Sequence, residues 1–215
     1  MKKLHFLLML ALMLVAVPAI SAQSAGSAAA KAFADAPQSV FPSIDRMTRL
    51  DMIDYFNSGS PKPSKNSFKG DCRIMAMNDS QLTFSTSDVS EVTMSLIPHR
   101  NDTIIMVITT LRTPQEDSTA KFYTSSWEEI RQGLFMVPDL DDWMLPDAKD
   151  KKEDLENAVP FMLARLTYEP GTGILTVTNT VGGILPEEAT SWAGNMLRDK
   201  LIYRWDGKKM IKLKD

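Results

Sequence analysis

Cysteine and histidine are nearly absent from this sequence. Cys72 is its only cysteine, so no internal disulfide can form, and beyond the N-terminal segment His99 is its only histidine. Sites for soft metals such as zinc use several cysteine and histidine ligands, and two such residues are too few. A thiol nucleophile would require Cys72 to meet a base such as His99 in space. A buried, inert thiol is the common role for one cysteine within a strand.

The chain also lacks the short motifs that mark common catalytic sites. It has no Gly-x-Ser-x-Gly, no His-Glu-x-x-His and no Cys-x-x-Cys, and its one glycine pair, Gly182-Gly183, does not continue into a phosphate loop. Carboxylate chemistry remains open, but no pair of Asp or Glu residues has a spacing that singles it out. The sequence therefore predicts no cofactor and favours a non-enzymatic protein.

The N-terminal residues have the pattern of a secretory signal peptide. Lys2 and Lys3 precede an almost wholly apolar run over residues 4–20, and small residues follow at 19–22. The alternative is a membrane anchor, but this run is short for a span, contains Pro18 and is not followed by a basic cluster. We expect residues 1–22 to be removed by cleavage after Ser21 or Ala22, leaving a periplasmic or secreted protein without a membrane span.

Basic residues are too few to suggest a polyanionic partner. The chain has 24 Lys and Arg against 27 Asp and Glu, and loss of the two leader lysines changes the formal net charge from −3 to −5. Nucleic acids and anionic membranes bind to basic patches, so this balance argues against both.

Strand patterns dominate two stretches, residues 70–123 and 161–213. In the first, apolar and polar residues alternate in short runs separated by Asn, Asp, Ser, Gly and Pro, which is typical of an antiparallel meander. The apolar run over residues 104–108 predicts a central strand covered on both faces. At the C-terminus, Asp206-Gly207 predicts a hairpin. Its lysine-rich return strand, residues 208–215, should form a sheet edge, with Leu201, Tyr203 and Trp205 packed inward.

Helices are predicted between and around these strands. Residues 28–36 have high helix propensity, and Ser43 is a good N-cap for an amphipathic helix that stops at Gly59. Residues 58–70 read as an exposed polar loop. The capping-box pattern of residues 125–128 predicts a further helix carrying Trp127 toward the core, and residues 187–199 predict another.

Residues 138–156 form the most acidic segment and contain the weak ligand-binding candidates. Calcium binding is one hypothesis, because oxygen-rich loops suit hard cations, but the spacing of an EF-hand is missing and lysines interrupt the acidic residues. A solvated loop running into a helix, with Trp143 holding it against the body, fits better. Sugar sites also combine carboxylates with aromatic rings. The candidate residues are Trp127, Asp141, Asp142 and Trp143.

Two segments resemble a known family of exported proteins. They are Phe41-Pro-Ser-Ile followed by residues 49–54, and residues 117–123 followed by Trp127. They are similar to the domain of unknown function 3256, found in Bacteroides-like gut and oral anaerobes, and the similarity extends over nearly all of the chain beyond the leader. The resemblance implies a periplasmic or secreted location and transfers no catalytic residue.

The sequence as a whole predicts an α+β fold, with mostly antiparallel sheets and a few flanking helices. Residues 23–215 should form a single domain, or two similar helix-plus-sheet lobes over 37–137 and 138–215. The favoured function is a periplasmic binding or assembly module whose partner is an envelope protein or a glycan. The alternative is a carboxylate-type hydrolase or a glycan-binding protein.

Overall fold

A computed structural model describes residues 26–214, and all structural statements concern these residues. The predicted signal peptide lies outside them. The described chain forms two antiparallel sheets of seven and four strands together with short helices, so the predicted α+β class is confirmed.

The seven-stranded sheet is a meander in which every strand pairs with its neighbours in the sequence. This confirms the pattern predicted for residues 70–123, because each polar break becomes a turn between strands. Its strands are β1 Ser64–Lys65, β2 Asp71–Met77, β3 Gln81–Ser87, β4 Ser90–His99, β5 Asp102–Leu111, β6 Asp117–Thr124 and β7 Glu129–Ile130.

The four-stranded sheet follows in the order β11-β10-β9-β8. Its strands are β8 Ala164–Glu169, β9 Ile174–Asn179, β10 Lys200–Trp205 and β11 Met210–Lys212. The C-terminal hairpin and its edge strand are confirmed, with Gly207 at φ 92° in the turn. Leu201 and Tyr203 are buried as predicted, whereas Trp205 is only partly buried. Its indole Nε1 donates to the Pro98 carbonyl at 2.8 Å and so connects the two sheets.

The helices are short. They are α1 Ala28–Asp35, α2 Arg46–Asn57, α3 Leu140–Trp143, α4 Lys152–Ala158 and α5 Glu187–Gly194, with 3-10 turns at Pro146–Lys151 and Val181–Ile184. Asp45, not Ser43, caps α2, because its carboxylate accepts from the Thr48 N–H at 2.7 Å. Helix α5 lies between β9 and β10 of the second meander. It ends at Gly194, short of the predicted residue 199.

The prediction of a helix that begins at residues 125–128 is wrong. The segment is a tight turn followed by β7, in which Ile130 pairs with Phe122. The Thr124 N–H donates to the Glu128 carbonyl at 2.9 Å, and Trp127 has φ 67°, in the left-handed region that a helix cannot use. Pairing with β6 has therefore overridden the local capping signal.

Strand β5 separates two hydrophobic cores. Ile105 and Val107 face a core completed by α1 and α2, while Ile104, Met106 and Ile108 face a core shared with the four-stranded sheet. This confirms the prediction of a central strand covered on both faces. The order of layers is therefore α1 and α2, then the seven-stranded sheet, then the four-stranded sheet with its flanking helices.

Candidate functional site

The acidic candidates Asp141 and Asp142 form ion pairs within the fold. The Lys152 Nζ lies 2.7 Å from Asp141 Oδ2, and the Lys212 Nζ lies 2.8 Å from Asp142 Oδ1. Asp142 also completes a capping box with Asp139 at the start of α3. These contacts connect α3 to α4 and to strand β11.

The two candidate tryptophans lie in different cores. Trp143 has 0% exposure in the core between the sheets, which confirms that it anchors the acidic segment to the body. Trp127 packs at the core of α1 and α2, with its ring centroid 6.0 Å from that of Phe41 and 5.5 Å from that of Tyr123. The structure therefore does not bring the four candidates together, and Trp143 has no surface to offer a ligand.

Across residues 26–214, no group of three or more His, Cys, Asp and Glu side chains is placed where it could hold a metal ion. Over the same residues, no helix is long and apolar enough to cross a membrane.

A cleft of about 240 Å³ lies at the β1 edge of the seven-stranded sheet, and we call it the edge cleft. It opens between the C-terminal half of α2, the segment that follows α2, and strands β1 and β2. Its lining residues are Met52, Tyr55, Phe56, Gly59, Ser60, Pro61, Lys62, Ser64, Cys72, Arg73 and Ile74.

The inner wall of the edge cleft carries two buried polar groups. Ser64 and Cys72 are paired across β1 and β2, so their side chains share the sheet face that α2 covers. The Cys72 thiol donates to the Ser64 carbonyl at 3.4 Å, whereas the Ser64 hydroxyl is buried and has no hydrogen-bond partner among residues 26–214. Burial and nearby Asp71 raise the pKa of Cys72 to about 11. At neutral pH the thiol is therefore protonated, and a nucleophilic role is disfavoured.

The mouth of the edge cleft carries a positive charge. The Lys62 Nζ lies 5.6 Å from the centroid of the Tyr55 ring, and within the described residues no carboxylate lies within 4.0 Å of it. An apolar cleft with a cation at its mouth has the features of a ligand-binding site.

Beside the edge cleft, residues 66–70 form an ordered turn that we call the Phe68 turn. The buried Asn66 side chain accepts at 2.9 Å from the N–H groups of Phe68 and Gly70 and donates at 2.8 Å to the Thr86 carbonyl. The Asn66 N–H in turn donates to the Gly70 carbonyl at 2.9 Å. The phenyl ring of Phe68 is nevertheless 84% exposed.

Sequence reasoning missed both features, because residues 58–70 read as an exposed polar loop. Strand β1 lies inside this segment and buries Ser64, which is a correction to that interpretation. The one available signal was Phe68, the only aromatic residue in a stretch of Ser, Pro, Lys, Asn and Gly. A lone apolar side chain in such a stretch is either packed inward or presented to a partner, and only the tertiary structure distinguishes the two.

The fold and the site define an α+β protein of two antiparallel meanders that share a core, with a cleft at one sheet edge. The chain belongs to the family described as "Protein of unknown function (DUF3256)", whose model matches residues 21–210. This confirms the resemblance seen in the sequence. No curated protein matches the chain.

One solved structure that is similar to this chain is that of a domain of an uncharacterized protein from Porphyromonas gingivalis W83. The two are 22% identical, with a TM-score of 0.71, and the match covers 86% of this chain and 98% of that one. At this identity the likeness shows that the fold is shared.

Proposed function

We propose that the protein is exported to the periplasm or beyond and acts there as a non-enzymatic binding or assembly module for an envelope protein. The observation that carries this proposal is the exposed phenyl ring of the Phe68 turn. Export is supported by the signal-peptide pattern of residues 1–22.

The Phe68 turn is built to hold an apolar side chain in solvent. Asn66 fixes its backbone by three side-chain hydrogen bonds, so the turn is ordered before any partner arrives. Preorganisation of this kind lowers the entropy lost on binding. Aromatic side chains are also enriched among the residues that dominate protein interfaces. An 84% exposed ring on an ordered turn is therefore suited to insertion into a partner's pocket.

The charges around the turn indicate the chemistry of the partner surface. Lys62, Lys65 and Lys69 lie in the same short segment, where Asp71 is the nearest carboxylate in the sequence and pairs with Lys65. This segment is thus locally basic in a chain of formal net charge −3. Complementary potentials favour association, so the expected partner has an apolar pocket with carboxylates at its rim.

The alternative, a carboxylate-type hydrolase or a glycan-binding protein, depended on acidic residues near Trp127 and Trp143. Trp143 is buried, and Asp141 and Asp142 are ion-paired. A Trp143→Ala variant would lose core packing, so a loss of glycan binding in that variant would not identify a sugar site. No specific contact favours this alternative over the binding module.

Site-specific photo-crosslinking tests the proposal. A photoreactive phenylalanine analogue at position 68 should crosslink to one discrete envelope protein in cells. The same analogue at Met136, which is 83% exposed on another loop, is the matched control. Adducts that are absent at position 68, or identical at both positions, would refute the proposed role of the turn.

Export is tested separately by fractionating the cells and sequencing the N-terminus of the recovered protein. The mature chain should begin at Ala22 or Gln23 and be found in the periplasm or the medium. Recovery of the chain from the cytoplasm with Met1 intact would contradict the proposed location.

A further inference from the structure

We propose that the edge cleft binds a small amphipathic carboxylate, with its apolar part between α2 and β2 and its charged group at Lys62. This inference concerns a small ligand and goes beyond the protein-partner function proposed above. It depends on the lining of the cleft and not on the Phe68 turn.

The size and lining of the cleft suit a short apolar chain. A volume of 240 Å³ corresponds to about eight water molecules at ~30 Å³ each. Met52, Phe56 and Ile74 line the cleft with apolar surface, and Met52 and Ile74 are themselves buried. A flexible hydrocarbon chain can replace water against such a surface, and this transfer is favourable.

The charge at the mouth then specifies the rest of the ligand. At the mouth, Lys62 has no carboxylate partner in the described chain, and the lining contains no Asp or Glu. The cleft therefore favours an anion over a cation.

The ligand class is tested with hexanoate and its uncharged analogue hexanamide as probes. Amide resonances of the full mature chain are followed by two-dimensional NMR during titration with each compound. We expect saturable shifts confined to residues 52–74 and a preference for hexanoate of roughly two- to fivefold, the range for one exposed ion pair. Shifts scattered over the surface, or equal affinity for the two compounds, would overturn the proposal.

Two variants test the charged contact. Lys62→Gln should abolish the preference for hexanoate, whereas Lys208→Gln, an exposed lysine in the C-terminal hairpin, should retain it. Retention of the preference in Lys62→Gln, or its loss in Lys208→Gln, would refute the contact with Lys62.

The partner-binding proposal and the small-ligand proposal can be refuted independently. Phe68→Ala should abolish binding of the partner identified by photo-crosslinking. It should leave the hexanoate titration unchanged, because Phe68 does not line the cleft. Loss of hexanoate binding in Phe68→Ala would contradict the placement of the ligand between α2 and β2.

Discussion

Arg49 is a buried charge whose removal should destabilise the protein strongly. It is 1% exposed, and its guanidinium donates to the Ile44 carbonyl at 2.9 Å and to the Ala36 carbonyl at 2.5 Å. A weaker bond of 3.4 Å reaches the Ala34 carbonyl. Helix C-termini leave carbonyls without intrahelical partners, and Arg49 satisfies those at the end of α1 from a position on α2. It therefore holds the two helices of the outer layer together.

The size of the effect follows from these contacts. A hydrogen bond to a charged group contributes about 1.5–3 kcal/mol, so the two shorter bonds together contribute about 3–6 kcal/mol. Desolvation, which also lowers the pKa of Arg49, opposes part of this gain, because taking an ion out of water is costly. We expect Arg49→Ala to reduce the free energy of unfolding by about 3 kcal/mol, a large share of the 5–15 kcal/mol typical of a domain.

Urea denaturation followed by tryptophan fluorescence measures this loss. Arg46→Ala is the matched control, since Arg46 lies on the same helix, its side chain is 61% exposed and its nearest carboxylate oxygen, on Asp35, is 3.9 Å away. The control should change stability by less than about 0.5 kcal/mol. The error of such a comparison is roughly 1 kcal/mol. If the free energy of unfolding of Arg49→Ala lies within that error of the wild-type value, the packing of the two helices does not depend on this guanidinium.

Three further predictions concern a helix cap, the C-terminal strand and the domain organisation. Hydrogen bonds from Thr48 hold the pKa of Asp45 below its ordinary value of 3.8, so its stabilising effect is complete above that value and is lost as pH falls through the folded pKa. In urea denaturation, Asp45→Ala should thus cost about 1 kcal/mol at pH 7 and progressively less as the pH falls below 3.8, and a cost that does not change with pH would exclude the cap. Truncation after Asp206 removes β11 and buried Met210, and should reduce the free energy of unfolding by about 2 kcal/mol. For a domain of this size that loss lowers Tm by roughly 4–8 °C. An unchanged calorimetric Tm would show that β11 contributes nothing to stability. We also propose that residues 23–215 form one domain, which should give one protease-resistant core and one calorimetric transition, whereas stable fragments near 37–137 and 138–215 would establish separate lobes.

The strand pattern of this chain could be predicted because strand alternation is local. Strands β2, β3 and β4 each have apolar residues at every second position and are bounded by turn residues, and β5 is apolar on both faces because it lies between two cores. The hairpin at Asp206-Gly207 was equally local, since Gly207 supplies the positive φ that the turn requires.

Tertiary structure decided the remaining features, because they depend on partners that are distant in the sequence. Residues 125–128, which have the capping-box pattern, form a turn because Ile130 pairs with Phe122 of β6. Trp127 and Trp143 are near each other in the sequence, but they lie in the cores on opposite faces of the seven-stranded sheet. The edge cleft exists because β1 pairs Ser64 with Cys72 beneath α2. The sequence by itself thus determined the longer strands and the turns between them. The short strands β1 and β7, the burial of Ser64 and the exposure of Phe68 were decided by the way the layers pack.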